Sequence, residues 1–167
     1  MSAVFPYSCC LNSFKAKPDL HELTYGQGDA MDLIERAGKV DALDSMVAWE
    51  QLQERTRDIA DYGHELRVSL EYKPTDPRRQ SFLGDMATTL LFLQECDRPN
   101  LGVTIDYCHS LMARENPGFA AFLAAKSGRL YGVHLNDGYG YQDDGLMVGP
   151  ASYVQIAEFL FYVLSFG

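Results

Sequence analysis

Leu66-Arg67-Val68-Ser69-Leu70-Glu71-Tyr72-Lys73 alternates apolar and polar residues, and the alternation returns at Leu101-Gly102-Val103-Thr104-Ile105-Asp106 and at Tyr131-Gly132-Val133-His134-Leu135-Asn136. Successive side chains of a strand point to opposite faces. Leu66, Val68, Leu70 and Tyr72 therefore share one face of the first strand, and Arg67, Ser69, Glu71 and Lys73 share the other. In the second, Leu101, Val103 and Ile105 oppose Gly102, Thr104 and Asp106; in the third, Tyr131, Val133 and Leu135 oppose Gly132, His134 and Asn136. Each strand has an apolar face to bury under helices and a small or polar face that ends in a side chain able to bind a metal or a proton.

Between these strands the period changes. Residues 82–95 carry Leu83, Met86, Leu90 and Leu93 on one side of a helix; residues 119–126 form another, with Pro117 suited to its first turn and Gly128 just past its end. A third helix is expected over residues 153–164. Upstream, a helix from Ser45 puts Trp49, Leu52 and Ile59 on one face and stops at Gly63. Residues 1–44 read as irregular apart from a turn at 25–28 and a short helix over 32–38. Strands alternating with helices imply a parallel α/β sheet. A doubly wound sheet, buried on both faces, shows nearly continuous apolar strands; these half-polar strands suit a (β/α)8 TIM-type barrel, whose inner face leads to a site at the carboxyl ends of its strands. Leu66 to Tyr72 is taken as the full extent of the first strand, and residues 130–136 as that of the third.

The three strand ends carry Glu71 with Lys73, Asp106 with His109, and His134 with Asn136. Neighbouring strand ends lie within about 5–10 Å, so these side chains can converge. Two carboxylates and two imidazoles make a mixed oxygen and nitrogen site suited to Mn, Co or Mg, and Asp143 and Asp144 on the following loop can add oxygens. A lone carboxylate at a strand end is ordinarily a cap, and a lone histidine is ordinarily structural. Three strand ends in phase, each with a ligand type on the non-apolar face, favour a shared site. His21 and His64 have no such company and read as loop residues, and strand parity turns Cys108 away from the site.

The formal charge of −9 and the lack of a Lys/Arg cluster exclude a duplex-binding face. Cys9, Cys10, Cys96 and Cys108 have no zinc-site spacing. The longest apolar stretch, residues 156–164, is too short for a bilayer and contains Glu158, so no membrane partner is expected. With no Lys/Arg-led apolar opening, the expected location is the cytoplasm.

At these residues the sequence resembles the xylose isomerase-like barrel superfamily. Glu71-Tyr72-Lys73-Pro74 followed by Asp76-Pro77-Arg78 resembles the Glu-x-Lys-Pro…Pro-Arg segment of xylose and L-rhamnose isomerases; Asp106-Tyr107-Cys108-His109 resembles their carboxylate-x-x-His pair; His134-Leu135-Asn136-Asp137, with an Asp-bearing loop ending in Gly149, resembles the next metal strand. The match covers residues 62–150 within a single domain, 1–167, expected to be an incomplete barrel, since a full one takes about 250 residues.

The resemblance implies a divalent-metal-dependent isomerase interconverting an aldose and a ketose, or a sugar epimerase. Glu71, Asp106 and His134 would hold one ion; Asp106, His109 and the loop aspartates Asp143 and Asp144 would hold a second. Lys73 would hydrogen-bond the sugar's carbonyl oxygen, with Asp106 and His109 assisting catalysis, and Asn136 would orient a ligand or a sugar hydroxyl. The family's last-strand carboxylate is expected beyond Gly167, and the family's spaced aspartate pair appears here as adjacent Asp143-Asp144. The alternatives are a non-catalytic barrel remnant and a metal-dependent phosphodiesterase of the superfamily's endonuclease branch. The expected partners are a small sugar and further copies of the chain.

Overall fold

The computed structural model describes residues 45–75 and 80–166. The expected turn at 25–28, the helix over 32–38, His21 and the Asp76-Pro77-Arg78 segment lie outside the described residues. The chain divides into two compact units, Met1–Leu52 and Gln53–Gly167. A helix, α1 (Ser45–Tyr62), opens in the first and continues into the second. The second unit continues with β1 (Val68–Glu71), α2 (Met86–Cys96), β2 (Leu101–Asp106), α3 (Tyr107–Met112), α4 (Pro117–Lys126), β3 (Leu130–His134) and α5 (Tyr153–Phe166). Among the described residues, the strands form one parallel sheet in the order β1-β2-β3, an α/β arrangement of the TIM-barrel kind in which these three strands do not close a barrel. Among the described residues, no helix is long and apolar enough to cross a membrane.

Local chemistry sets the helix limits. Asp85 accepts from the Thr88 amide at 2.7 Å, so α2 starts after this cap rather than at residue 82. Asn116 caps α4 through the Phe119 amide at 2.8 Å, Pro117 fills the first turn, and Gly128 leaves the helix at φ +69°. The short helix α3 was not expected from periodicity, because six residues are too few to show one.

Leu101, Val103 and Ile105 of the central strand are fully buried, as are Met86, Phe92 and Leu93 of α2 and Ala121 and Ala124 of α4. Each large side chain among them contributes about 1.5–3 kcal/mol of transfer free energy. The alanines let α4 approach closely.

Three expected faces differ. The first strand is shorter than residues 66–72, because Leu66 donates its amide to the Gly63 carbonyl in a turn and its side chain is 68% exposed. In α1, Ile59 is exposed, whereas Gln53, Thr56 and Ala60 are buried. Gln53 bonds Glu95 at 2.6 Å and Arg57 bonds the α2 carbonyls of Glu95 and Cys96, so this face is held by polar contacts that a hydrophobic period does not reveal. In β3, Val103 pairs with Leu130 and Thr104 with Gly132, which leaves Tyr131 as an extra residue at a register irregularity. Its ring consequently crosses to the polar face, where it lies over Gly102 and under the Arg67 guanidinium. A Cβ at Gly102 would collide with that ring, so glycine is required there.

Candidate metal centre

Register places the three strand-end residues together. Asp106 pairs directly with His134, and Glu71 ends β1 beside Thr104, on the same sheet face. His134 Nδ1 lies 3.3 Å from Glu71 Oε2 and 3.9 Å from Asp106 Oδ2. One ligand atom from each of Glu71, Asp106 and His134 lies within 4.8 Å of the others. Among the described residues, no second group of three or more His, Cys, Asp or Glu does so. Asp106 is buried, while Glu71 and His134 open to solvent.

Asp106 has a second duty that fixes its rotamer. Its Oδ1 accepts from the His109 amide at 3.0 Å, capping α3, and Oδ2 is left facing His134. The turn of α3 brings the buried His109 ring back over the strand end, where Nδ1 lies 3.0 Å from the Tyr72 carbonyl and 3.3 Å from Glu71 Oε1. A carbonyl only accepts, so Nδ1 carries a hydrogen and Nε2 faces Asp143 Oδ2 at 3.3 Å.

Asp143 gathers the rest of the polar cluster. Lys73 Nζ donates to its Oδ2 at 2.9 Å, and Asn136 Nδ2 donates to its Oδ1 at 3.2 Å. The Lys73 ammonium holds the Asp143 carboxyl below the usual carboxylate range; partial burial opposes this and His109 supports it. Asn136 is fixed in turn, because its Oδ1 accepts from the Cys108 amide at 3.1 Å.

The donor set fits a divalent ion. Two carboxylates and an imidazole supply the oxygen and nitrogen donors that suit Mn, Co or Mg. Donors held about 2.1 Å from one octahedral ion lie roughly 3–4 Å apart, and His134 Nδ1 stands 3.3 Å from Glu71 and 3.9 Å from Asp106. No thiolate joins them: Cys108 Sγ points to the Gln142 carbonyl. It is the helical geometry of α3, not strand parity, that turns Cys108 away.

A family model described as the xylose isomerase-like TIM barrel matches residues 26–163. The chain belongs to this family. Xylose isomerase from Thermus thermophilus is 31% identical over 94 residues, 53% of this chain and 24% of that protein. Xylose isomerase from Streptomyces lividans is 32% identical over 106 residues, 62% of this chain and 26% of that protein. The solved structure of a xylose isomerase domain protein from Alicyclobacillus acidocaldarius superposes with a TM-score of 0.58 at 25% identity, covering 75% of this chain and 47% of that one. The chain thus spans about a quarter of the length of the two relatives, 24% and 26%.

Within this xylose isomerase-like frame, the structure brings together Glu71, Lys73, Asp106, His109, His134, Asn136 and Asp143, but not Asp144. Asp144 accepts from the Tyr139 amide and from Gln142 Nε2, both at 2.9 Å, and is bound within its own loop. His64, as expected, is an exposed loop residue.

Two organising residues were missed. Asp137 is fully buried, and its carboxylate accepts from the amides of Gly138, Gly149, Ala151 and Ser152 and from the Ser152 hydroxyl. Burial pushes its pKa up, but the Ser152 hydroxyl and the amides outweigh this and hold it below the ordinary value. This knot closes the loop that presents Asp143. Glu115 accepts from the Tyr72 hydroxyl at 2.6 Å, the Met86 amide at 2.8 Å and the Ser110 hydroxyl at 3.2 Å, tying β1 to α2 and α3. Burial, with the Glu115 carboxylate beside it, pushes the Tyr72 phenol well up. The sole sequence signal for either was the Asn-Asp pair at 136–137.

Proposed function

We propose that this chain carries the metal-binding part of a divalent-metal-dependent sugar isomerase that interconverts an aldose and a ketose, or epimerises a sugar by related chemistry. The observation that carries the proposal is the convergence of Glu71, Asp106 and His134 within 4.8 Å at three adjacent strand ends, with the Lys73 ammonium alongside. Family membership and the two xylose isomerase relatives support it.

On this reading Glu71, Asp106 and His134 hold the ion, which when bound polarises sugar oxygens as a Lewis acid. Lys73 hydrogen-bonds the carbonyl oxygen where negative charge gathers. His109 has its Nδ1 hydrogen engaged by the Tyr72 carbonyl, so Nε2, beside Asp143, is the ring atom that exchanges a proton. Asn136 keeps the Asp143 carboxylate in place. A phosphodiesterase handling a polyanion is disfavoured by the formal charge of −9.

The test is Mn(II) titration of the wild-type chain and Glu71→Gln, followed by an aldose and ketose conversion panel. Loss of one of two charged ligands should weaken Mn(II) binding at least 10-fold. Equal affinity in the two proteins would sink the proposal.

A further inference from the structure

The xylose isomerase-like resemblance implies two ions, yet the polar cluster beside the first site is already supplied with positive charge. Asp143 is the only one of the two loop aspartates that reaches it, since Asp144 is bound to its own loop. Asp143 Oδ2 takes the Lys73 ammonium at 2.9 Å, and Oδ1 takes Asn136 Nδ2 at 3.2 Å. Asp106 Oδ1 is engaged by the His109 amide at 3.0 Å, and His109 Nδ1 by the Tyr72 carbonyl at 3.0 Å.

We propose that this protein holds a single divalent ion and that the Lys73 ammonium stands in for the second, occupying the Asp143 oxygen on which that ion would depend. The proposal rests on the reading that Glu71, Asp106 and His134 bind an ion.

Three observations argue for it. An ammonium and a divalent cation drawn to the same carboxylate oxygen repel each other, and the charge-assisted bond that Lys73 makes there is a well-formed 2.9 Å. The lysine's main chain is fixed on both sides. Its own amide donates to the Leu83 carbonyl at 3.1 Å, and the preceding Tyr72 is anchored through its hydroxyl to Glu115 at 2.6 Å. The ammonium is thus delivered from the end of β1 rather than from a wandering loop. Finally, with Asp144 turned away, the donors that meet at this position among the described residues are His109 Nε2 and Asp143 Oδ2, 3.3 Å apart. That is a poor donor set for an ion that prefers six oxygens or nitrogens. Lys73 is therefore the group that neutralises Asp143 and, among the described residues, a positive centre at that position.

The experiment is Mn(II) stoichiometry, read by the electron paramagnetic resonance of free ion and by calorimetry, on the wild-type chain, Lys73→Met and Asp143→Asn. The wild type should bind one equivalent. Lys73→Met should reveal a second, weaker equivalent, because Asp143 is released. Asp143→Asn should keep one equivalent with affinity within about threefold of wild type, because Asp143 touches no ion. Two equivalents in the wild type would overturn the proposal while leaving the Glu71, Asp106 and His134 site standing. Lys73→Met remaining at one equivalent, or a fall of more than about tenfold in Asp143→Asn, would also overturn it. No binding by the wild type would remove the first site and this proposal together. If Lys73→Met fails to fold, wild-type stoichiometry and Asp143→Asn still decide.

Discussion

Replacing Asp137 by asparagine changes one atom in a buried knot, and the outcome follows from its donors. Oδ2 accepts three amides (Gly149 at 3.1 Å, Ala151 at 3.0 Å, Ser152 at 3.3 Å), and Oδ1 accepts the Gly138 amide at 2.9 Å and the Ser152 hydroxyl at 2.7 Å. The least costly asparagine keeps its oxygen toward the three amides and turns its NH2 toward Gly138 and Ser152. The Gly138 amide then meets a donor, which costs about 1–3 kcal/mol. Ser152 must also reverse its hydroxyl, although Tyr107 already bonds that oxygen at 2.8 Å. The surviving bonds lose their charge assistance, roughly another 1 kcal/mol in all. Asp137→Asn should therefore cost about 2–4 kcal/mol, measured by urea denaturation with an unchanged slope. Amide exchange at Gly149, Ala151 and Ser152 should accelerate together. The pH dependence supplies a second check. The folded pKa of Asp137 is depressed, so its stabilisation is complete above the unfolded value of about 3.9 and is lost as pH falls through the folded value. The gap between wild type and variant should be full at neutral pH and close in acid. A loss below about 0.5 kcal/mol, with unaltered exchange at those three amides, would refute the reasoning.

Other outcomes are expected. Glu115→Ala strands the Tyr72 hydroxyl and the Met86 amide and should cost about 2–4 kcal/mol by the same denaturation assay. In a context that turns over sugar, Lys73→Met should lower kcat about 100-fold or more while the first equivalent of Mn(II) binds as before; equal losses in both would make the lysine a structural counter-ion. Among the described residues, the outer edges of β1 and β3 have no strand partner, and bare edges recruit other chains, so the purified chain should sediment as an associated species. A stable monomer at all concentrations would count against the expected self-association.

The strands and their phase were legible because period two survives in short segments. Glu71, Asp106 and His134 came together as expected because each ends a strand on the polar face, and parallel register then leaves little freedom. Tyr131 was misplaced because one extra residue at a bulge inverts every parity argument upstream of it, and nothing in Tyr131-Gly132-Val133 announces the insertion. The buried face of α1 was misjudged for a different reason. Gln53 and Thr56 are polar by type, and only the partner on α2 makes burial favourable. Asp137 escaped notice because most of its bonds come from main-chain amides, which have no residue identity to read, and Glu115 because its shortest bond comes from Tyr72, far away along the chain.

The hydrogen bond between His109 Nδ1 and the Tyr72 carbonyl has a consequence for how the site can vary. The acceptor belongs to the main chain, so every amino acid at position 72 offers the same oxygen. Substitution there can loosen the anchor to Glu115, but it cannot delete the group that selects which ring nitrogen of His109 carries the hydrogen. The acceptor that faces Nδ1 is set by the path of the main chain just past the end of β1. A histidine oriented by carboxylates alone can be disarmed by codon changes, whereas this one keeps a main-chain acceptor even where Glu71 or Asp143 is replaced.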